Sequence, residues 1–184
     1  MDDARRITTT RPEAATDAGR FLAKRGHVVM KQFRDIGEIE CNHGDTLKFS
    51  TLLFATAQGT RGERTFGIKI EHESESGEES CLMDFIELKE FLLAIKHLIG
   101  LAKQTHGTVS DYTEFQYVTK DSLKVGFYED TKGQQQAFID VSPGGDMSFL
   151  ELDALRQVFE IIKRGREYLI EKGANEDSQS PEAP

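Results

Sequence analysis

Two stretches of this chain share one rhythm. Phe85-Ile-Glu-Leu-Lys-Glu-Phe-Leu-Leu-Ala-Ile-Lys-His-Leu98 is followed 64 residues later by Phe149-Leu-Glu-Leu-Asp-Ala-Leu-Arg-Gln-Val-Phe-Glu-Ile-Ile162. Phe85, Glu87 and Leu88 recur as Phe149, Glu151 and Leu152, and Phe91, Ala94, Ile95 and Leu98 meet Leu155, Val158, Phe159 and Ile162. A period of this kind means that one supersecondary unit is used twice, so it constrains the fold before any single residue does.

The segments before each stretch alternate with the period of a half-buried strand. In the second half, Tyr112–Lys120 places Phe115 and Tyr117 on one face, Leu123–Tyr128 groups Leu123, Val125 and Phe127, and Gln136–Val141 groups Ala137, Ile139 and Val141. Met147 and Phe149 begin a fourth run, and turn formers separate the runs: Asp121-Ser122, Asp130-Thr-Lys-Gly133 and Ser142-Pro-Gly-Gly-Asp146. In the first half, Leu47–Ala57 groups Leu47, Phe49, Thr51 and Leu53. Thr65–Glu71 groups Phe66, Ile68 and Ile70, and Ser80–Ile86 groups Cys81, Met83 and Phe85. An opening strand is expected within Ile36–Cys41. Each half then ends in an amphipathic helix, with Leu88, Phe91, Leu92, Ile95, Leu98, Ile99 and Ala102 on one stripe, and Leu155, Val158, Phe159, Ile162 and Leu169 on the other. Asp153 is the expected N-cap of the second helix, with Ser148 and Glu151 at capping-box spacing as an alternative start.

The expected fold class is therefore α+β, two tandem ββββα repeats packed as one pseudo-symmetric unit, because one sheet with one helix buries only one face well. The boundaries expected are an N-terminal arm over 1–35, partly ordered and basic from residue 20, a first repeat over 36–105, a second over 106–172 and a disordered acidic tail over 173–184. At 184 residues and 38% hydrophobic composition the chain is long enough for a real core. No run of about 18 apolar residues is present, which excludes a spanning helix. The first twenty residues hold Asp2, Asp3, Glu13 and Asp17 and no apolar stretch, so no secretory signal is expected. Two cysteines, Cys41 and Cys81, suit a reducing compartment, and the expected location is cytoplasmic.

Charge is uneven. Residues 1–70 hold 12 Lys/Arg against 9 Asp/Glu, whereas 71–184 hold 11 against 23, within an overall net charge of −9. Arg20, Lys24, Arg25, Lys31 and Arg34 follow one another with no acid between them. Such a stretch is either a basic arm for nucleic acid or ordinary solvated surface. The acidic tail is either a contact for a protein partner or a solubilising segment.

Duplicated four-strand-plus-helix units resemble a group of single-stranded nucleic-acid binders: the PUR-repeat, Whirly and positive-cofactor-four proteins. The resemblance lies in Leu123-Lys-Val-Gly-Phe-Tyr-Glu-Asp-Thr-Lys-Gly133, Phe138-Ile-Asp-Val141 and Leu152–Tyr168, with only topology and helix rhythm shared by the first half. It implies one module of paired repeats whose outward sheet faces hold single strands. Such a site needs a positive groove for phosphates and flat side chains on which bases stack. Tyr128 and Phe138 alternate opposite to the core rows and are the stacking candidates, with packing inside the protein as the competing reading. Lys48, Lys69 and Lys124 share the outward faces, and Arg61 and Arg64 project from the Gly59–Gly62 loop. The absence of Trp and the acidic second repeat depart from that expectation.

No catalytic constellation is present. Cys41, His43 and Asp45 lie close together, but zinc wants about four ligands and no second pair has suitable spacing. Cys81 reads as core, His97 lies on the helix beside Leu98, and His27, His72 and His106 lack partners at catalytic or ligand spacing. Glu71, Glu73, Glu75, Glu78 and Glu79 read as a solvated hairpin, without a calcium-loop pattern. Gly59-Thr-Arg-Gly-Glu-Arg64 lacks the ending of a phosphate-binding loop. The chain is thus expected to be no enzyme, to need no cofactor or metal, and to bind single-stranded DNA or RNA. The alternative is a protein-interaction or structural module on the same fold, with a homo-oligomer or a protein partner.

Overall fold

The computed structural model describes residues 16–23, 25, 26, 28–56, 63–75, 77–105, 107 and 111–176. A short helix α1 (Asp17–Ala23) leads into four strands, β1 (Val29–Glu40), β2 (Thr46–Thr56), β3 (Arg64–Ser74) and β4 (Gly77–Asp84). A single 3-10 turn (Phe85–Glu87) then feeds helix α2 (Leu88–Thr105). The second unit repeats the order with β5 (Tyr112–Val118), β6 (Lys124–Asp130), β7 (Gln135–Asp140), β8 (Met147–Leu150) and helix α3 (Ala154–Glu171). Both sheets are antiparallel meanders in chain order. The expected α+β architecture of two ββββα units is what the chain adopts.

Two boundaries differ from expectation, and one expected cap is not made. The first strand starts at Val29 rather than within Ile36–Cys41, because a bulge between Asp35 and Gly37 breaks its period-two pattern. Residues 29–35 therefore belong to the first sheet, not to an arm. Helix α3 starts after Asp153 as expected, yet Asp153 makes no capping bond and pairs with Arg156 instead. Ser148 lies in β8 and starts no helix. Residues 173–176 are seated: Gly173 takes φ +99°, Ala174 N–H closes back onto the Leu169 carbonyl, and Ala174 is buried. The rest of the tail lies outside the described residues.

The helices are exchanged. α2 lies over β5 and β6 of the second sheet, α3 lies over β1, β2 and β3 of the first, and the two helices pack on each other. One core results, joining Phe49, Ile70 and Met83 of the first sheet to Val125, Phe127 and Ile139 of the second, with Phe91, Ile95, Val158 and Ile162 from the helices between them. Cys81 is part of this core, and burial pushes its thiol strongly upward in pKa. The approach of α3 to the first sheet is close enough to need glycine. A Cβ on Gly165 would lie 2.6 Å from Ile36 and 2.9 Å from Ile68. Gly37, at φ +154°, has Ile161 where its own side chain would go.

The hairpins complete the pseudo-symmetry. The β1–β2 turn meets the β8 edge through Asn42 N–H to the Phe149 carbonyl at 2.9 Å. The matching β5–β6 turn meets the β4 edge, where Leu82 N–H donates to the Asp121 carboxylate at 2.9 Å.

Candidate functional site

Strand alternation assigns every side chain to the shared inner core or to an outer face. On the first sheet's outer face, one end is apolar. Leu52 and Phe54 are covered by Ala18 and Phe21 of α1, with Phe21 stacked on Phe54 at 5.9 Å between ring centroids. A seven-residue helix is marginal alone, so this contact holds it, and burying Phe21 is worth about 1.5–3 kcal/mol. Asp84 accepts N–H bonds from Asp17 at 2.7 Å and Ala18 at 3.1 Å, which fixes the start of α1. Burial pushes the Asp84 carboxyl upward in pKa, against those two bonds.

The remainder of that face is acidic. Register places Lys31, Lys48 and Lys69 on it together with Asp35, Glu38, Glu40, Glu71, Glu73, Glu78 and Asp84. Lys48 pairs with Glu73 at 2.6 Å, and Lys69 pairs with Glu71. Glu73 sits across β2–β3 in the row next to Lys48, and that pair holds the Lys48 ammonium above its ordinary pKa. Both lysines expected at phosphates are thus engaged by carboxylates of their own sheet.

The second sheet's outer face is open and aromatic. Tyr112 stacks on Tyr128 at 5.7 Å, Tyr128 meets Phe149 edge-on at 6.2 Å, and Phe149 meets His43 edge-on at 6.2 Å. Val118 and Met147 are exposed beside this chain of rings. Tyr112 donates to Glu114, which pushes its phenol up to about 12. Phe138 is on this face as expected, but it is fully buried, its ring lying over Gly126 where a Cβ would clash with it. It therefore offers no stacking surface, whereas Tyr128 is half-buried and does. Lys124 pairs with the buried Asp140 at 2.6 Å, so it too has a carboxylate partner.

The basic stretch divides. Arg20 pairs with Asp17 on α1, Arg25 is exposed before β1, and Lys24 lies outside the described residues, as does Arg61. Lys31 and Arg34 are three apart on a strand and point to opposite faces. Arg34 lies on the helix side, its guanidinium 4.3 Å from the Tyr168 ring centroid. Arg164 donates to the Ile36 carbonyl at 3.1 Å beside it. These residues line a cleft of about 430 Å³ with Asp35, Glu167 and Glu171. Arg64 is exposed at the start of β3, far from this cleft in the strand order. Sequence reading missed Arg164 and Tyr168 because only the exchange of helices brings α3 to β1.

Cys41, Asp45 and His72 gather at the far end of the first sheet. His72 is buried, with Nε2 3.4 Å from the Asp45 carboxylate and no hydrogen bond. Burial also pushes the Cys41 thiol upward, so it is not a thiolate nucleophile at neutral pH. Among the described residues no three His, Cys, Asp or Glu side chains are placed to hold a metal ion, and no helix is long and apolar enough to cross a membrane. No protein-family model and no curated protein matches this chain.

Proposed function

We propose that this chain is a non-catalytic protein-interaction module whose docking face is the outer face of the second sheet. One observation carries the reading: the open rings of Tyr112, Tyr128 and Phe149 lie beside exposed Val118 and Met147 and next to Glu114 and Asp130, with Lys124 already paired to the buried Asp140. Tyrosine and methionine are enriched at protein interfaces, and an acidic rim favours a cationic partner. The partner is a protein segment carrying apolar or aromatic groups and basic residues. A polyanion is disfavoured on this face, because phosphate binding needs local positive charge.

The second reading, a single-stranded DNA or RNA binder of the PUR-repeat, Whirly and positive-cofactor-four type, has its own support. The ring chain offers π-faces for bases, and Arg34 and Arg164 in the β1–α3 cleft have no carboxylate partner among the described residues. Fluorescence anisotropy separates the two. Labelled peptides alternating Lys–Phe or Glu–Phe, and labelled single-stranded DNA and RNA, are titrated with the full chain at two salt concentrations. The expected result is binding of the Lys–Phe peptide alone, weakened by salt and by Tyr128→Ala. Salt-sensitive binding of DNA or RNA that is lost on Arg34→Ala with Arg164→Ala establishes the second reading in its place.

A further inference from the structure

Each sheet has two edge strands, and three of the four carry a device against pairing. The β8 edge is met by Asn42 at the Phe149 carbonyl, and the β4 edge by Asp121 at the Leu82 N–H. The β1 edge is bulged, carries Lys31, Arg34, Asp35, Glu38 and Glu40, and has its Ile36 carbonyl taken by Arg164. Charges and bulges are the usual means by which edges avoid other chains. The β5 edge has no bulge and only a single charge, Glu114. Among the described residues β5 bonds to β6 alone, in an unbroken register of seven pairs. Its sequence, Tyr112-Thr-Glu-Phe-Gln-Tyr-Val118, holds one charge and no Pro, Gly or basic residue.

The backbone decides what this edge offers. Thr119 N–H donates to the Leu123 carbonyl, and the Phe115 carbonyl points into β6 against Gly126. Main-chain groups alternate sides along an antiparallel strand. Thr113, Phe115 and Tyr117 therefore face β6, while Glu114, Gln116 and Val118 turn their N–H and C=O groups outward. Antiparallel self-pairing must match these outward positions with one another. A two-fold axis at Glu114 sets two carboxylates opposite each other, which is unfavourable. An axis at Gln116 shortens the overlap and sets Glu114 against the partner's Val118. An axis at Phe115 sets Glu114 against the partner's Gln116, whose amide donates to a carboxylate, and symmetry provides this pair twice.

We propose that β5 is a homodimerisation edge, pairing antiparallel with a second copy of this chain about a two-fold axis at Phe115. The second sheets of two chains become one continuous sheet, and their outer aromatic faces become one surface. The pairing uses main-chain groups at the edge, so it stands or falls separately from what the outer face binds.

Sedimentation velocity of the full chain over a concentration series tests it. The expected result is a reversible rise from the 20.7 kDa monomer to twice that mass. Gln116→Pro removes an outward N–H without taking a bond from β6, and should leave a monomer with unchanged circular dichroism. Two further variants hold the test if that one does not fold. Gln116→Glu should weaken the dimer, and Gln116→Lys should tighten it at low salt only, each by about two- to thirtyfold for two cross-strand pairs. A monomer at every concentration, or a dimer indifferent to these substitutions, overturns the proposal.

Discussion

The two sheets present the same inner face and opposite outer ones. Inside, both units supply alternating apolar rows to one core, because each helix packs on the other unit's sheet and must fit it. Outside, the first sheet is lidded by α1 and carries paired lysines among acids, while the second exposes a chain of rings. The inner rows are tied to each other by exchange, so a change in one unit is felt by the other. Among the described residues α2 and α3 each pack on the inner face of the other unit's sheet, so the outer faces can vary without cost to the core. The duplication accordingly fixes architecture, and the outer faces carry whatever specificity the module has.

The largest expected effect tests the shared core. Phe49 in β2 and Phe127 in β6 are both fully buried at corresponding places, facing Ile70 and Ala137 across their sheets. Phe49→Ala and Phe127→Ala should each cost about 3–5 kcal/mol. Each should lower a single cooperative transition, seen identically by far-ultraviolet circular dichroism and tyrosine fluorescence. Two separated transitions in either variant would show that the units fold independently and that the exchange of helices does not couple them.

What the sequence revealed follows the same division. Inner rows such as Leu123, Val125 and Phe127 were legible because burial imposes strict alternation, and the helices because their apolar stripes repeat. The start of β1 was not legible, since the bulge at Asp35–Gly37 interrupts the alternation and its residues are mostly exposed. The outer faces were legible by position but not by state. Lys48, Lys69, Lys124, Tyr128 and Phe138 stand on the predicted side, yet carboxylates of neighbouring strands take Lys48 and Lys124, Glu71 of its own strand takes Lys69, and Gly126 lets Phe138 lie flat and buried. Pairings across strands depend on register, which alternation alone does not give. Arg164 and Tyr168 depended on an exchange of helices that no local pattern encodes.

A smaller effect concerns the lid that, among the described residues, the first sheet alone has. Asp84→Ala removes both acceptors at the start of α1 and should cost about 0.5–2 kcal/mol, the range for a lost helix cap. Hydrogen exchange should show lost protection at Ala18 and Phe21 while β6 and β7 keep theirs; equal loss in both sheets would sink the assignment of α1 to the first sheet alone. The direction of the Asp84 shift fixes a pH readout. A carboxyl raised above its ordinary 3.8 binds its proton more tightly when folded. Its contribution is fully present below 3.8 and is lost as pH rises through the raised value. Asp84→Asn cannot ionise, so its stability should lack that fall in the same pH window.

The smallest effect on stability gives the sharpest comparison of the outer faces. Glu71→Gln with Glu73→Gln keeps the size of both side chains and removes the carboxylates that engage Lys69 and Lys48. Surface ion pairs of this kind contribute little, so the unfolding midpoint should scarcely move. Charge on the face changes far more, because two negative charges leave a region where two lysines remain. If acidity is what keeps the first sheet from phosphate, the double variant should gain weak binding to labelled single-stranded DNA at low salt. Two lysines predict a shallow dependence, with a slope of about −1.4 in log K against log salt at roughly −0.7 per phosphate neutralised. Wild type should show none. A silent double variant would move the cause from charge to the α1 lid, and Asp84→Ala in that background would then be the change that opens the face. Wild-type binding equal to that of the variant would instead return both sheets to the nucleic-acid reading.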